Sequence, residues 1–160
     1  MAGDDRALVD YLRRSYQAVD GLWFTMVEER QGFEEALEVD ESVWRVLAKI
    51  QARKAREVSG HTGNGPEDLA ACFGLKLTAD GHEFEVRIDD RGVGFVIHAC
   101  PWLALLRKSD RTDLALRIAR TICPTEGRTW CAEFGGQYDF EMPAMACEGE
   151  PRCEMRFARR

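Results

Sequence analysis

Apolar residues recur with a helical period through the first sixty positions, and with a period of two from about residue 84. Leu8, Leu12 and Tyr16 stand four apart, with Tyr11 and Val19 widening the stripe, which is the spacing of one helix face. Asp20 has N-cap chemistry for a second helix through Trp23, Phe24 and Val27, and Gly32 ends or bends that segment. A third helix is predicted from Asp40. Val43, Val46, Leu47 and Ile50 follow the i, i+3, i+4, i+7 rule, and Arg53, Lys54 and Arg56 suit its C-terminal dipole. Ser59-Gly-His-Thr-Gly-Asn-Gly-Pro66 marks a flexible connection, after which Pro66 opens a short helix with Glu67 and Asp68 in its first turn.

Phe84, Val86 and Ile88 then alternate with polar residues, as do Val93, Phe95 and Ile97. The turn residues Asp89-Asp-Arg-Gly92 lie between them, so the pair reads as an antiparallel hairpin. Pro101 stops the second strand. Leu114, Ile118 and Ile122 predict a helix from about Thr112 to Cys123, closed by Pro124. Tyr138, Phe140 and Met142 predict a third strand, and Cys153, Met155 and Phe157 a fourth. Helices first and strands later define an α+β domain, with N-terminal helices packed on an antiparallel sheet formed by the second half. The expected organisation is one domain over 1–160, with a helical part at 1–59 and an α+β, cysteine-rich part at 66–160.

Composition narrows the function classes. The 160 residues are 45% hydrophobic and 31% charged, ordinary for a globular chain with a real core. A net charge of −6 argues against nucleic acid as a partner, because phosphate-backbone binding needs basic patches. No apolar run approaches bilayer length, so no membrane partner is expected. The opening Met1-Ala-Gly-Asp-Asp-Arg lacks the apolar core of a secretory leader, and the expected location is cytoplasmic.

In that compartment thiols stay reduced, and clustered cysteines point to metal or thiol chemistry. Five of the six fall in the last sixty-one residues: Cys100, Cys123, Cys131, Cys147 and Cys153. His98 and Cys100, two apart on a strand, are expected to project from one face, opposite Val93, Phe95 and Ile97. Cys147 and Cys153 flank Glu-Gly-Glu-Pro-Arg, where Gly149 and Pro151 turn the chain. Thiolate and imidazole donors favour Zn²⁺ or iron over magnesium or calcium. The candidate metal ligands are therefore Cys100, Cys123, Cys147 and Cys153, with His98 added from strand geometry.

Other residues read as structure. Cys72, inside Leu69-Ala-Ala-Cys72-Phe, reads as packing, as does Cys131 beside Trp130. His61 and His82 sit in loop-like sequence and are expected in solvent. Asp20, Trp23, Phe24, Glu28 and Trp44 offer a possible pocket wall, although Trp44 reads rather as core. No Walker loop, G-x-G-x-x-G, H-E-x-x-H or G-x-S-x-G occurs, which weighs against nucleotide, zinc-protease and serine-hydrolase chemistry.

Cys100-Pro-Trp, Ile122-Cys123 and Cys147-Glu-Gly-Glu-Pro-Arg-Cys153-Glu-Met-Arg-Phe157 resemble the vinyl-reductase-like (4-vinyl reductase) domain group. They look particularly like its relatives described as L-2-amino-thiazoline-4-carboxylic acid hydrolases. Asp20-Gly-Leu-Trp-Phe-Thr-Met-Val-Glu-Glu and Asp40-Glu-Ser-Val-Trp44 are similar to an uncharacterised prokaryotic branch of that group. The resemblance implies an α+β fold, a small apolar or heterocyclic ligand, frequent homodimers and cysteines acting as metal ligands. Three functions follow as expectations. One is a small-molecule-binding domain with a cysteine-rich metal site. Another is a hydrolase opening a thiazoline-type ring through Cys100 as catalytic thiol or through a metal-bound water. The last is a metal-free dimeric sensor or assembly module.

Overall fold

A computed structural model describes residues 2–160. Its helices are α1 (Ala2–Gln31), α2 (Phe33–Ser59), α3 (Pro66–Asp80), α4 (Pro101–Lys108) and α5 (Thr112–Glu133), and its strands β1 (Glu83–Asp89), β2 (Gly92–Ala99), β3 (Tyr138–Ala144) and β4 (Cys153–Arg159). The class is α+β. The chain divides into two compact units, residues 1–40 and 41–160. Among the described residues no helix is long and apolar enough to cross a membrane.

In the first unit α1 runs unbroken through Asp20 and Gly21, so Asp20 is a helix-interior residue and starts no helix. A single interior glycine costs about 1 kcal/mol, too little to divide a helix of 30 residues. The real stop is Gly32, whose φ of 92° suits a residue without Cβ. Phe24 and Phe33 meet edge-on across it at 5.8 Å. The next helix therefore starts at Phe33, with Glu34 and Glu35 in its first turn, and Asp40 lies inside it. Leu8, Tyr11, Leu12, Val19 and Trp23 are all exposed. Helical period reports an apolar stripe and does not report what covers it.

The second unit is organised around one sheet of order β1-β2-β4-β3, antiparallel throughout. Val93, Phe95 and Ile97 of β2 stand opposite Phe157, Met155 and Cys153 of β4, and residues directly opposite share a face. On that face Phe73 of α3 meets Phe95, Trp130 of α5 and Phe157 edge-on, at 5.0, 5.0 and 4.9 Å. The second half of α2 joins this core through Ala48, Ala52 and Ala55, not through the expected Val43, Val46 and Ile50, which are exposed. Small side chains let the α2 backbone approach closely, and Trp44, 4% exposed, supplies bulk at one end of that face.

The hairpin, the α3 start at Pro66 and the strands at 138 and 153 stand where their patterns place them. Proline misleads in two places. Pro101 stops β2 and also opens α4, as suits a residue at a first helical position. Pro124 does not close α5, which continues to Glu133 with Thr125, Glu126, Gly127, Trp130 and Cys131 buried. A proline in a helix interior costs about 3 kcal/mol, and burial of that apolar second half offsets it. Gly127 permits the close packing, since a Cβ there would fall 2.2 Å from the Phe140 ring. Gly127→Ala should therefore lower stability by about 1–3 kcal/mol, read as a reduced urea midpoint at constant m-value, although alanine is the better helix former.

Candidate functional site

Four of the five C-terminal cysteines come from separate parts of the chain. Cys100 is the residue before α4, in extended conformation. Cys123 lies on α5, Cys147 in the 3₁₀ turn Ala146–Glu148, and Cys153 at the start of β4. Cys100, Cys123 and Cys153 all pack against the buried core. They lie within electrostatic range of one another, and Cys147 lies within range of Cys153. The Cys153 Sγ accepts the Ala146 N–H at 3.2 Å. Gly149, at φ 98°, reverses the chain so that Cys147 and Cys153 can share this corner. All six cysteines are free thiols.

His98 does not join them. Ile97 faces the core and His98 the opposite side, where its Nε2 lies 3.1 Å from Glu85 Oε1 and its side chain is 42% exposed. The strand ends at Ala99, so the two-residue alternation no longer governs Cys100, and the chain turns its sulfur toward the core.

Burial disfavours ionisation of Cys100, Cys123, Cys131 and Cys147. Burial raises Cys100, against the Trp102 and Leu103 amides at the head of α4 and the Lys76 ammonium, which pull the other way. Burial raises Cys123 well above the ordinary thiol value, with Cys100 and Glu126 adding to it. Cys147 is raised for the same first reason. Cys131 is pushed up to about 11 by burial, and Cys72 is fully buried; both lie among the packed core residues. Among the described residues no group of three or more His, Cys, Asp or Glu side chains stands ready to hold a metal ion.

Beside the thiols lies a cluster that pattern reading missed. Lys76 Nζ sits 3.1 Å from Asp80 Oδ2 and 2.5 Å from Glu126 Oε1, and all three side chains are at most 7% exposed. The Phe73 and Trp44 rings lie 5.5 and 5.8 Å from the ammonium, and the Trp44 ring packs edge-on against Trp102 at 5.4 Å. Burial works against the Lys76 charge, but the two carboxylates outweigh it and hold the lysine charged. Burial raises Glu126, against the pull of Lys76. The visible signal was Lys76 and Asp80 at i, i+4 on an otherwise apolar helix, with Cys123 and Glu126 at i, i+3 on α5.

His82 is not in solvent as expected. Its Nδ1 is sealed and has no hydrogen-bond partner, and burial, with Lys76 nearby, lowers its pKa to about 3. His61 stays 40% exposed, with Nδ1 3.1 Å from Asp68 Oδ1.

Fold and site together define an α+β domain with half-buried thiols beside a buried ion cluster. A family of unknown function, DUF6125, matches residues 5–123, well over half of the chain, and the chain belongs to that family. The matched region includes Cys100, Cys123, Lys76, Asp80 and His82, and ends before Glu126, Cys147 and Cys153. No curated protein matches the chain.

Removing one partner from a buried ion cluster leaves charge uncompensated, which costs about 3–5 kcal/mol. Lys76→Met should lose that much stability at pH 7. The loss should shrink toward pH 5, because orphaned carboxylates take up protons more readily folded than unfolded; equal losses at both pH values would contradict the arrangement. For His82 the folded pKa lies below the unfolded one. Its stabilisation is complete above about pH 6.5 and is lost as pH falls toward 3, at no more than about 1.4 kcal/mol per pH unit. The difference between wild type and His82→Gln in urea unfolding at pH 7 and pH 4.5 should show that slope.

Proposed function

We propose that this chain is a small-molecule-binding domain whose Cys100, Cys123, Cys147 and Cys153 take up one soft metal ion, Zn²⁺ or iron. The observation that carries the reading is that Cys100, Cys123 and Cys153 lie within electrostatic range of one another and Cys147 within range of Cys153, with the Ala146 N–H directed at the Cys153 sulfur. Amide donors to sulfur support a thiolate carrying negative charge. The donor set fits such an ion in kind. The thiols are not preassembled as a cage, so uptake requires them to lose protons and draw together, and affinity should fall steeply as pH is lowered. The resemblance to the vinyl-reductase-like group supports the same reading.

A second reading, hydrolysis of a thiazoline-type heterocycle through Cys100, draws on the Trp102 and Leu103 amides beside its sulfur. Two observations weigh against it. Burial outweighs those amides and leaves Cys100 a thiol at neutral pH, and inert thiols are the buried, protonated ones. The nearest imidazole along the chain, His98, is engaged with Glu85 on the other face of the sheet.

Elemental analysis of protein purified without a metal-affinity tag, together with a native thiol count, separates the readings. The expected result is near one equivalent of zinc or iron with four thiols shielded, and loss of that metal in Cys153→Ser with the helical signal kept. Metal-free protein whose Cys100 alone reacts fast would favour the thiol enzyme. Metal-free protein with no fast thiol would leave a binding module without metal.

A further inference from the structure

We propose that the free edge of β1 is an interface with a second copy of this chain, the two β1 strands pairing antiparallel about Val86. β1 closes one end of the sheet and pairs only with β2. An open edge offers a row of backbone donors and acceptors, and natural sheets usually blunt it. The opposite edge, β3, is blunted: Pro143 lies within it, a residue with no N–H to give, and its register with β4 slips between Glu141 and Ala144. β1 has no proline, and its register with β2 is regular from Phe84 to Asp89.

The order of side chains along β1 is self-complementary. In a two-fold antiparallel pair centred on Val86, each residue meets the one equally far beyond the centre. Val86 meets its own copy, Phe84 meets Ile88, and Glu85 meets Arg87, twice over by symmetry. The apolar members are on the sheet face that carries Phe95 and Ile97. Val86 and Ile88 are 47% and 45% exposed there, and a neighbouring strand bringing the same residues would cover them. Glu85 and Arg87 are on the other face, 58% and 67% exposed, and pair with each other along the strand at 3.4 Å; a partner strand would set the same two charges beside them and extend that pair across the seam.

Charge selects this register over its neighbours. Sliding by two residues one way sets Glu85 against its own copy, and the other way sets Arg87 against its own copy. Directly opposed like charges destabilise a strand pair. The centred register leaves one unfavourable match, Glu83 with Asp89 at each end, and Asp89 is already countered by Arg156 at 3.2 Å. The interface holds whatever the thiols bind, because none of its residues belongs to the thiol or ion clusters.

Sedimentation equilibrium of the full-length chain tests the proposal, with circular dichroism confirming the fold of each variant. Wild type should show a monomer–dimer equilibrium. Arg87→Glu and Glu85→Arg, each setting like charges across both halves of the seam, should each weaken the dimer by about tenfold. The double variant Glu85→Arg/Arg87→Glu, which exchanges the charges and restores both pairs, should return to near wild-type affinity. A wild-type chain that stays monomeric at all concentrations overturns the proposal. So does a dimer indifferent to the single reversals, which would associate through another surface, and so does a double variant as weak as the singles.

Discussion

The Phe73 ring is the contact on which the second unit depends. It is fully buried and meets rings from β2, α5 and β4 at about 5 Å, each edge-on. Edge-to-face packing satisfies the aromatic quadrupole and adds about 0.5–1.5 kcal/mol per pair beyond area burial. More important here is what the contact positions. Lys76 lies one helical turn beyond Phe73 on α3, Cys123 lies two turns before Trp130 on α5, and Cys153 lies four residues before Phe157 on β4. With those rings in register, thiols and charges distant in sequence are brought to the same corner.

That corner combines two kinds of expense. Lys76, Asp80 and Glu126 give up hydration that their mutual attraction does not always repay; replacing such a whole cluster by well-packed apolar residues is often neutral or stabilising, whereas removing one partner is costly. The thiols lie in the same low-dielectric surroundings, which disfavour the thiolate form. Lys76 is in range of both Cys100 and Cys123, and its positive charge favours their ionised form. A fixed buried cation next to sulfurs that must lose protons to bind a metal is consistent with the function proposed for the site.

Particular residues show how far local pattern reaches. Phe84, Val86, Ile88 and Val93, Phe95, Ile97 gave the hairpin because period-two alternation and the Asp89–Gly92 turn are local signals. Pro66 with Glu67 and Asp68 opened α3 for the same reason. The α2 face failed: Val43, Val46, Leu47 and Ile50 satisfy the helical rule as well as Trp44, Ala48, Ala52 and Ala55 do, and close backbone approach chose the small residues. Pro124 failed because a local cost of about 3 kcal/mol was outweighed by burial of Trp130 and Cys131. His98 was set beside Cys100 because alternation was carried one residue past the end of its strand.

By itself, then, the sequence determined the α+β class, the β-hairpin, the start of α3 and the positions of the last two strands. These follow from periodicity, turn chemistry and residue type, all of which act over a few residues. Only the tertiary structure decided which helix face is buried, where helices end, that His98 faces away from Cys100, and that Lys76, Asp80, Glu126 and His82 lie beside the thiols. Those outcomes depend on contacts between α3, α5 and the sheet. Burial and electrostatic range are properties of what surrounds a residue in space, and no stretch of neighbouring sequence contains them.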